Sequence, residues 1–454
     1  MVERYVAAAG RQEWQTFHPR GMRYLEVLVR GDLGAFELHE VGLTRANYPA
    51  SDAGAFECSD PMLTRLWQMG RETLHACMED AYVDCPWRER GLYSGDFYVQ
   101  FHVNLAACGD FSLFRRCIDL FLQGQGPSGT LPGCALGVAG HGASDYSMII
   151  PQAMRAYAQR SGDRDFLGRR AGHVARLMTG LAGQVRPGEA LMDGAGLGPY
   201  IDIAHFDKGG VSASLNCFYQ RTLADAAWIM DRVGRPSVAE AFAKEARRVA
   251  EAIRAGFWDE ARGAFVDRLR ADVPATGPSV QANALAILYG IAAPEQAARA
   301  ADWLAAAMLD NFRGAEPRGP EDCNVSTYFA FYALGALYRC GKVREAEAFI
   351  RTYWGRMIDR GAWTFWEYFT DNASLCHAWS ACPTYYLSSE VLGVTMPDPD
   401  HPDRIAIRPH PGTLSWARGT WPHARGPIRV SWRRKDDGTA AVEYEAPEGV
   451  EIVP

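Results

Sequence analysis

The feature that most constrains this fold is a helical pattern that runs from about residue 60 to residue 391. Apolar residues at i, i+3 and i+4 in AFAKEARRVAEAIRAGFW (241–258) predict an amphipathic helix. ANALAILYGIAA (282–293) is apolar nearly all round and predicts a helix buried on both sides. Ser or Asp caps and Gly stops divide the pattern into twelve segments: Asp60–Asp80, Gly95–Gly109, Phe111–Gly124, Ser144–Arg160, Asp163–Val185, Ser212–Val233, Ser237–Gly256, Val280–Tyr289, Pro294–Asp310, Ser326–Tyr338, Val343–Met357 and Ser374–Val391. Twelve helices in sequential pairs predict a mainly α fold, an (α/α)6 barrel with an inner and an outer ring.

Short β-type runs flank the helical part of the chain. MRYLEVLVRG (22–31) and GAFELHEVGL (34–43) alternate with period 2, and they predict part of a β-sandwich at residues 1–53. RIAIRP, IRVSWRRK and AAVEYEA, which follow residue 400, predict a small C-terminal β-sandwich domain. The predicted organisation is a β segment at 1–53, a catalytic barrel at 54–396 and a β domain at 397–454.

Composition excludes several classes of protein. The 454 residues carry a net charge of -7, with 47 Lys and Arg spread along the chain, which argues against nucleic acid or an anionic membrane as partner. Eleven cysteines without CxxC spacing argue against a disulfide framework and a structural zinc site. The first residues show no secretory signal, and no apolar run is long enough to span a membrane. These observations predict a cytoplasmic protein; a homodimer stays open.

Two loops concentrate charged and aromatic residues. DCPWRERGLYSGD (84–96) precedes an inner-type helix, and GAWTFWEYFTDNASLCHAWSA (361–381) precedes the last one. Because the two ends of a closed ring are neighbours in space, we expect these loops to face each other across one pocket. Sugars stack their apolar faces on aromatic rings and bind carboxylates, Arg and His through their hydroxyls. The candidates for such a site are the acidic and histidine side chains Asp84, Glu89, Asp96, Glu367 and His377 and the aromatic faces of Trp87, Tyr93, Trp363, Trp366 and Trp379.

The same residues also have structural interpretations. A loop Asp or Glu is commonly a cap or a solvated charge. Trp363 and Trp366 can be core residues that close the barrel, and His377 can be a structural histidine near a helix start. Arg88 can pair with the acids and hold the loop without a catalytic role. Only the clustering of these residues in two loops favours a sugar site.

Both loops resemble signatures of a known family. YVDCPWRERGLYSGD (82–96) resembles the acidic motif of the bacterial α-L-rhamnosidases, glycoside hydrolase family 78. TFWEYF and the following SLCHAWSACPTYYLSSEVLGV resemble the second family motif. GAFECSDPMLTRLWQMGRETL (54–74) is similar to the entry into the family's barrel, and WARGTWPHARGPIRVSW (416–432) to its closing β domain. The resemblance covers roughly residues 20 to 450.

The resemblance implies a six-hairpin glycosidase that releases terminal α-L-rhamnose with inversion of the anomeric centre and without a cofactor. By motif position, Glu89 matches the general acid and Glu367 the general base. Asp84, Arg88, Asp96 and His377 match sugar-binding positions, and Asp145 and Asp202 fall where the family has further pocket acids. Inverting enzymes hold their two carboxyl groups about 6.5–9.5 Å apart, so we expect that separation here.

Two departures from the family pattern leave the sugar open. Tyr93 stands where Trp is usual, and Ile203 follows Asp202 where the family often has Trp. An (α/α)6 glycosidase for a different deoxy or neutral sugar is therefore an alternative. A catalytically silent sugar-binding relative is another, although binding alone does not need both Glu89 and Glu367. A polysaccharide lyase is less compatible, because these acids would repel uronates.

Overall fold

A computed structural model describes residues 2–31, 34, 36–137, 143–269, 277–313, 317–398 and 400–453. The chain forms two units, Met1–Ala46 and Asn47–Pro454. The described residues of the first unit contain no β-strand, so the strands predicted at 22–31 and 34–43 are wrong for the part that is described. Tyr24 and Leu28 are 82% and 72% exposed. A period-2 pattern makes a strand only where a neighbouring strand pairs with it, and the described residues provide none.

The second unit contains twelve helices within its described residues. They are α1 Pro61–Ala76, α2 Ser94–Ala107, α3 Ser112–Gln123, α4 Ser144–Ser161, α5 Arg164–Ala182, α6 Ala213–Arg232, α7 Pro236–Phe257, α8 Val280–Leu288, α9 Pro294–Leu309, α10 Ala330–Arg339, α11 at 343–359 and α12 at 382–391. Helix α11 includes a π-helical stretch, Ile350–Trp354, and α12 ends in another, Leu387–Val391.

The even-numbered helices form a closed inner ring. Each packs on the next, from α2 through α4, α6, α8 and α10 to α12, and α12 packs back on α2. The odd-numbered helices pack outside these, each against a neighbouring inner helix. Burial follows the same division: all but one of the residues of α8 are buried, whereas α3 buries one stripe of apolar residues. The predicted (α/α)6 barrel is confirmed.

The last helix begins later than predicted. Residues 374–381 form a loop with one short 3-10 turn, Ala378–Ser380, and α12 starts at Cys382 with a proline in its first turn. The backbone of this loop bonds to the segment before it instead of to a helix: the Glu367 N–H donates to the Ser374 carbonyl at 2.8 Å. The segments around Glu367 and Ser374 therefore lie side by side, next to the start of the inner helix α12.

Strands lie at the end of the second unit and at its start. The strands are β1 Ala55–Cys58, β2 Val211–Ser212, β3 Trp258–Asp259, β4 Ala264–Phe265, β5 Arg268–Leu269, β6 Val394–Thr395, β7 Arg404–Ile407, β8 Trp416–Trp421, β9 Ile428–Arg434, β10 Ala440–Glu445 and β11 Glu451–Val453. One sheet has the order β1-β8-β9-β10 and a second the order β11-β7-β6. In the first sheet Phe56 pairs with Gly419 in antiparallel register.

The C-terminal strands share one apolar core with the barrel. Trp421, Val430 and Trp432 belong to the same buried cluster as the inner-ring residues, and the Trp432 Nε1–H donates to the Val391 carbonyl at the end of α12. Strand β1 therefore ties the start of the barrel to the C-terminal sheet. Within the described ranges, every helix is too short or too polar to span a lipid bilayer.

Candidate active site

The first acidic loop joins α1 to α2 and is fixed by its own charges. Asp84 clamps the loop, because its Oδ1 accepts from the Gly91 N–H at 2.7 Å and its N–H donates to the Gly91 carbonyl at 2.9 Å. Arg90 adopts a left-handed backbone conformation with φ of 49°, and its guanidinium pairs with Glu79. Such a conformation is strained for a residue with a side chain and persists where the surroundings hold it. Glu89 is thus presented from a defined turn.

The second loop, between α11 and α12, holds Glu367 at both its backbone and its carboxylate. Oε2 of Glu367 accepts from the Ser374 N–H at 3.1 Å. The carbonyl of Glu367 accepts from the Trp379 Nε1–H at 2.8 Å and from the Thr327 hydroxyl. The Glu367 side chain is only 4% exposed. These bonds fix the direction in which the carboxylate points.

Arg88 joins the two loops. Its Nη2 donates to Glu89 Oε1 at 2.9 Å and to Glu367 Oε1 at 2.9 Å, and it lies 2.8 Å from Glu367 Oε2. Because Glu89 and Glu367 share one nitrogen of Arg88, an oxygen of one carboxylate and an oxygen of the other are separated by only that nitrogen. Glu89 lies on the open side, since its side chain is 35% exposed. The structure brings both predicted carboxylates to one guanidinium.

A buried histidine links Glu367 to Asp96 in the first turn of α2. His377 Nε2 lies 3.0 Å from Asp96 Oδ1, and His377 Nδ1 lies 3.7 Å from Glu367 Oε2. Burial raises the pKa of Asp96 to about 6, although the hydrogen bond and charge of His377 oppose the rise. Burial alone would lower the pKa of His377, but the hydrogen bond and charge of Asp96 and the charges of Asp84 and Glu367 raise it.

The charge on His377 in turn acts on Glu367. Burial alone would raise the pKa of Glu367, but the charge of His377 and the hydrogen bonds from Tyr368, Arg88 and the Ser374 N–H hold it below its usual value. Glu367 is therefore ionised at neutral pH although it is buried. An ionised, oriented carboxylate can accept a proton from a water molecule.

Two tyrosines contact the carboxylates directly. The Tyr93 hydroxyl is hydrogen-bonded to Glu89, and the Tyr368 hydroxyl is hydrogen-bonded to Glu367. Burial and the neighbouring carboxylates raise the pKa of both phenols, so each remains a donor at neutral pH. Sequence reasoning named Tyr93 but missed Tyr368, whose signal was its position next to Glu367 in WEYF.

The predicted aromatic side chains have different surroundings. The Trp379 ring lies 4.3 Å from that of His377 and 5.3 Å from that of Tyr328. Trp363 is 68% exposed, and Arg65 of the outer helix α1 lies over its ring at 5.3 Å. Trp366 and Trp379 both belong to the buried apolar cluster. Of these three tryptophans, Trp379 is the one whose ring contacts His377; Tyr328, which contacts Trp379, gave no sequence signal.

Asp145 and Asp202 are buried and bond to other groups of the protein. Both oxygens of Asp145 accept backbone N–H groups, from Tyr200 at 2.7 Å and Ile201 at 2.8 Å, and Ile201 has a left-handed φ of 52°. Asp202 accepts from the Gln281 Nε2–H at 2.7 Å and from its neighbour's N–H. These contacts shape the loop at 200–203, a role that sequence reasoning did not assign to them.

Three side chains near the carboxylates have the chemistry of metal ligands. One ligand atom from each of Asp84, Cys85 and His377 lies within 4.8 Å of the other two, and all three residues are buried. A separate groove of about 860 Å³ lies on the C-terminal sheet, between β8–β10 and α1. Its lining includes Arg418, Arg429 and Tyr444 but no residue of the two motif loops.

The helical ring and the two acidic loops define a class, the six-hairpin glycosidases. The chain belongs to the bacterial α-L-rhamnosidase family. Residues 51–391 match the family profile described as the bacterial alpha-L-rhamnosidase 6 hairpin glycosidase domain, and residues 403–453 match the bacterial alpha-L-rhamnosidase C-terminal domain. No curated protein matches the chain significantly.

Solved structures agree with this assignment. A family 78 rhamnosidase of Bacillus sp. GL1 is 28% identical, with a TM-score of 0.79 over 89% of this chain and 43% of its own. A Streptomyces avermitilis α-L-rhamnosidase complexed with L-rhamnose is 18% identical, with a TM-score of 0.74 over 89% of this chain and 39% of its own. A Klebsiella oxytoca rhamnosidase with rhamnose bound is 24% identical, with a TM-score of 0.63 over 74% of this chain and 66% of its own. The chain thus spans less than half the length of the first two.

Proposed function

We propose that this chain carries the active site of an inverting glycoside hydrolase that releases terminal α-L-rhamnose from glycosides or oligosaccharides. The observation that carries the proposal is that Glu89 and Glu367 both bond to the guanidinium of Arg88. Glu89 lies in the loop before the first inner helix, and Glu367 lies in the loop before the last one. A sugar-binding protein without activity needs no such pair. Membership in the α-L-rhamnosidase family supports the choice of sugar.

In the proposed reaction, Glu89 donates a proton to the departing glycosidic oxygen, and Glu367 takes a proton from a water on the opposite face of the sugar. The different surroundings of the two residues suit these roles. Glu367 is buried and its pKa is held low, as a base requires. Glu89 is partly exposed on the side from which an aglycone would leave.

Substrate entry then requires a rearrangement at Arg88. The guanidinium now holds the two carboxylates together, and the side chains of Arg88 and Glu89 are 36% and 35% exposed, so both can move. A sugar ring that enters the gap would replace the Arg88–Glu89 bond with bonds to its hydroxyls. The carboxyl groups would then reach the separation of about 6.5–9.5 Å that leaves room for the attacking water.

The sugar would be held by polar side chains that project into the same region. The buried Asp84 carboxylate is hydrogen-bonded to the Gly91 N–H and to the Cys85 thiol, and a sugar hydroxyl would replace the weakly donating thiol. Arg88 and the Asp96–His377 pair provide further donors and acceptors. Trp379, rather than Trp363 or Trp366, offers an aromatic face beside His377. Asp145 and Asp202 would act indirectly, by fixing the loop at 200–203.

A screen of nitrophenyl glycosides tests the proposal. We expect the α-L-rhamnoside to be hydrolysed well above other common glycosides, and the variants Glu89→Gln and Glu367→Gln to lose that activity. Glu251→Gln, which changes an exposed carboxylate on the outer helix α7, is the matched control and should retain it. Hydrolysis confined to another glycoside would overturn the assignment of the sugar.

A different deoxy or neutral sugar is the second candidate, and Tyr93 is the observation that favours it. Its hydroxyl bonds to Glu89 where the family usually has an indole ring, so the edge of the pocket is more polar and smaller. The same screen distinguishes the two candidates. No measurable turnover of any glycoside, together with saturable binding of rhamnose, would instead favour a silent sugar-binding relative.

The cellular context is also part of the proposal. All eleven cysteines are free thiols, which agrees with a reducing compartment such as the cytoplasm. The homodimer stays a prediction.

A further inference from the structure

The clustered Asp84, Cys85 and His377 combine three different ligand types. A carboxylate, a thiol and an imidazole lie with their ligand atoms within 4.8 Å of one another. Asp84, Cys85 and His377 are 1%, 0% and 2% exposed, so water competes little for the space between them. Sulfur together with imidazole nitrogen suits zinc-class ions, whereas magnesium and calcium prefer oxygen ligands.

One of the candidate ligand atoms is buried without a hydrogen bond. Nε2 of His377 is used by Asp96, but Nδ1 has no hydrogen bond and lies 3.7 Å from Glu367 Oε2. The Asp84 carboxylate accepts from the Gly91 N–H and is hydrogen-bonded to the Cys85 thiol, a weak donor that a cation can replace. Buried polar atoms are normally satisfied, so the unbonded Nδ1 beside this carboxylate and thiol indicates a missing ligand.

The remaining contacts of these residues resemble the support that metal ligands receive. A histidine that binds a metal through one nitrogen usually donates the N–H of the other to a carboxylate, as His377 can to Asp96 at 3.0 Å. Nδ1 is then the nitrogen that can bind a cation, after it has given up its proton. Oε2 of Glu367 lies 3.7 Å from Nδ1 and can serve as the fourth ligand of a tetrahedral site.

We propose that Asp84 Oδ2, Cys85 Sγ and His377 Nδ1 bind one zinc-class divalent cation, and that the bound cation blocks the sugar site. As the cation binds, the thiol proton of Cys85 and the Nδ1 proton of His377 pass to solvent, and each ligand replaces one water bound to the cation. The cation engages Asp84 and His377 and attracts Glu367, so it and the sugar exclude each other. The blocking rests on the proposed function, whereas the binding of the cation does not.

Titration with Co²⁺, which replaces Zn²⁺ and absorbs light when it binds a thiolate, tests the site. We expect one Co²⁺ per chain with a thiolate charge-transfer band, displaced by Zn²⁺. Cys85→Ser should abolish the band and weaken binding at least tenfold. Cys340→Ser changes a half-buried thiol elsewhere and should leave both unchanged. A band that survives in Cys85→Ser, or no stoichiometric binding by the wild type, would overturn the proposal.

X-ray absorption at the zinc edge on the wild-type protein gives a readout that does not depend on the variant's folding. We expect one Zn–S distance of about 2.3 Å with the other ligands nitrogen or oxygen. A shell without sulfur would contradict the site.

Competition with the sugar tests the blocking separately. L-Rhamnose should raise the apparent Kd for Co²⁺, and zinc should inhibit wild-type hydrolysis but not that of Cys85→Ser, which keeps the carboxylates. Hydrolysis that is equally sensitive to zinc in both proteins would overturn the blocking. Stoichiometric binding of the metal in a protein that hydrolyses no rhamnoside would refute the proposed function and leave the metal site standing.

Discussion

The imidazole Nε2 of His377 lies 3.0 Å from the carboxylate of Asp96, although 281 positions separate the two residues in the chain. Both side chains are buried, so each depends on the other for its charge state. Asp96 helps to raise the pKa of His377, and the charge on His377 helps to hold the pKa of Glu367 down. The ionisation of Glu367 is therefore partly set from the start of helix α2.

Asp96→Asn should move the acidic limb of the pH–rate profile to higher pH. Without the carboxylate, the pKa of His377 falls, so the imidazole loses its positive charge at a lower pH. Glu367 then loses a charge that lowers its pKa, so the pKa of Glu367 rises and the base becomes protonated at a higher pH. The measurement is kcat/KM against pH. Asp119→Asn, on the outer helix α3, is the control, and an unmoved limb in Asp96→Asn would refute the coupling.

Glu89→Gln should reveal the general acid through its dependence on the leaving group. The amide keeps the shape of the side chain but cannot donate a proton to the leaving oxygen. General acid assistance is typically worth ~10²–10⁴-fold, so rates should fall by that factor for alkyl aglycones. Activated phenols need no proton and should lose much less. Equal losses across both kinds of substrate would give Glu89 another role.

Much of this arrangement could be predicted from the sequence. A closed ring makes its first and last inner helices neighbours, and α12 does pack on α2, so Arg88 and Glu367 meet across 279 positions. The predicted start of α12, Ser374, was wrong because the backbone there bonds to the preceding segment instead of forming a helix. The Glu367 N–H donates to the Ser374 carbonyl, and local helix patterns do not reveal such a bond. The strand predicted at 22–31 failed because a period-2 pattern does not supply a pairing partner.

Other parts of the site could not be predicted. Both Trp363 and Trp379 were candidates, and the path of the loop, which no sequence pattern gives, leaves Trp363 exposed and Trp379 buried beside His377. Tyr328 and Tyr200 come from the middle of the chain, where they resemble ordinary core residues. Asp145 was expected to bind sugar, which stays a prediction; its bonds to two backbone N–H groups are contacts that no sequence pattern identifies.

Trp363→Ala and Trp379→Phe form a matched pair that tests which ring serves the sugar. Trp363 is on the outer surface, so its loss should leave KM within about twofold. Trp379→Phe removes the Nε1–H bond to the Glu367 carbonyl and part of the ring beside His377, so KM should rise and kcat fall. Steady-state kinetics on a nitrophenyl rhamnoside measure both. A larger effect from Trp363→Ala would show that the exposed ring is the platform.

Asp145→Ala should lower stability as well as activity. The change leaves the N–H groups of Tyr200 and Ile201 without their acceptor and releases a strained backbone. Each unsatisfied buried group costs about 1–3 kcal/mol. Urea denaturation should show a loss in the free energy of unfolding of that order, in the absence of any sugar. A fully stable variant with weakened rhamnose binding would instead make Asp145 a sugar ligand.

The stereochemistry of the first product tests the pairing of Glu89 and Glu367 most directly. Proton NMR of an α-L-rhamnoside digest, recorded before mutarotation, distinguishes the two anomers of the released sugar. If Glu367 activates a water opposite the leaving group that Glu89 protonates, β-L-rhamnose appears first and the α anomer grows in later. If α-L-rhamnose appears first, the reaction retains configuration, and Glu367 does not act as the base of an inverting pair.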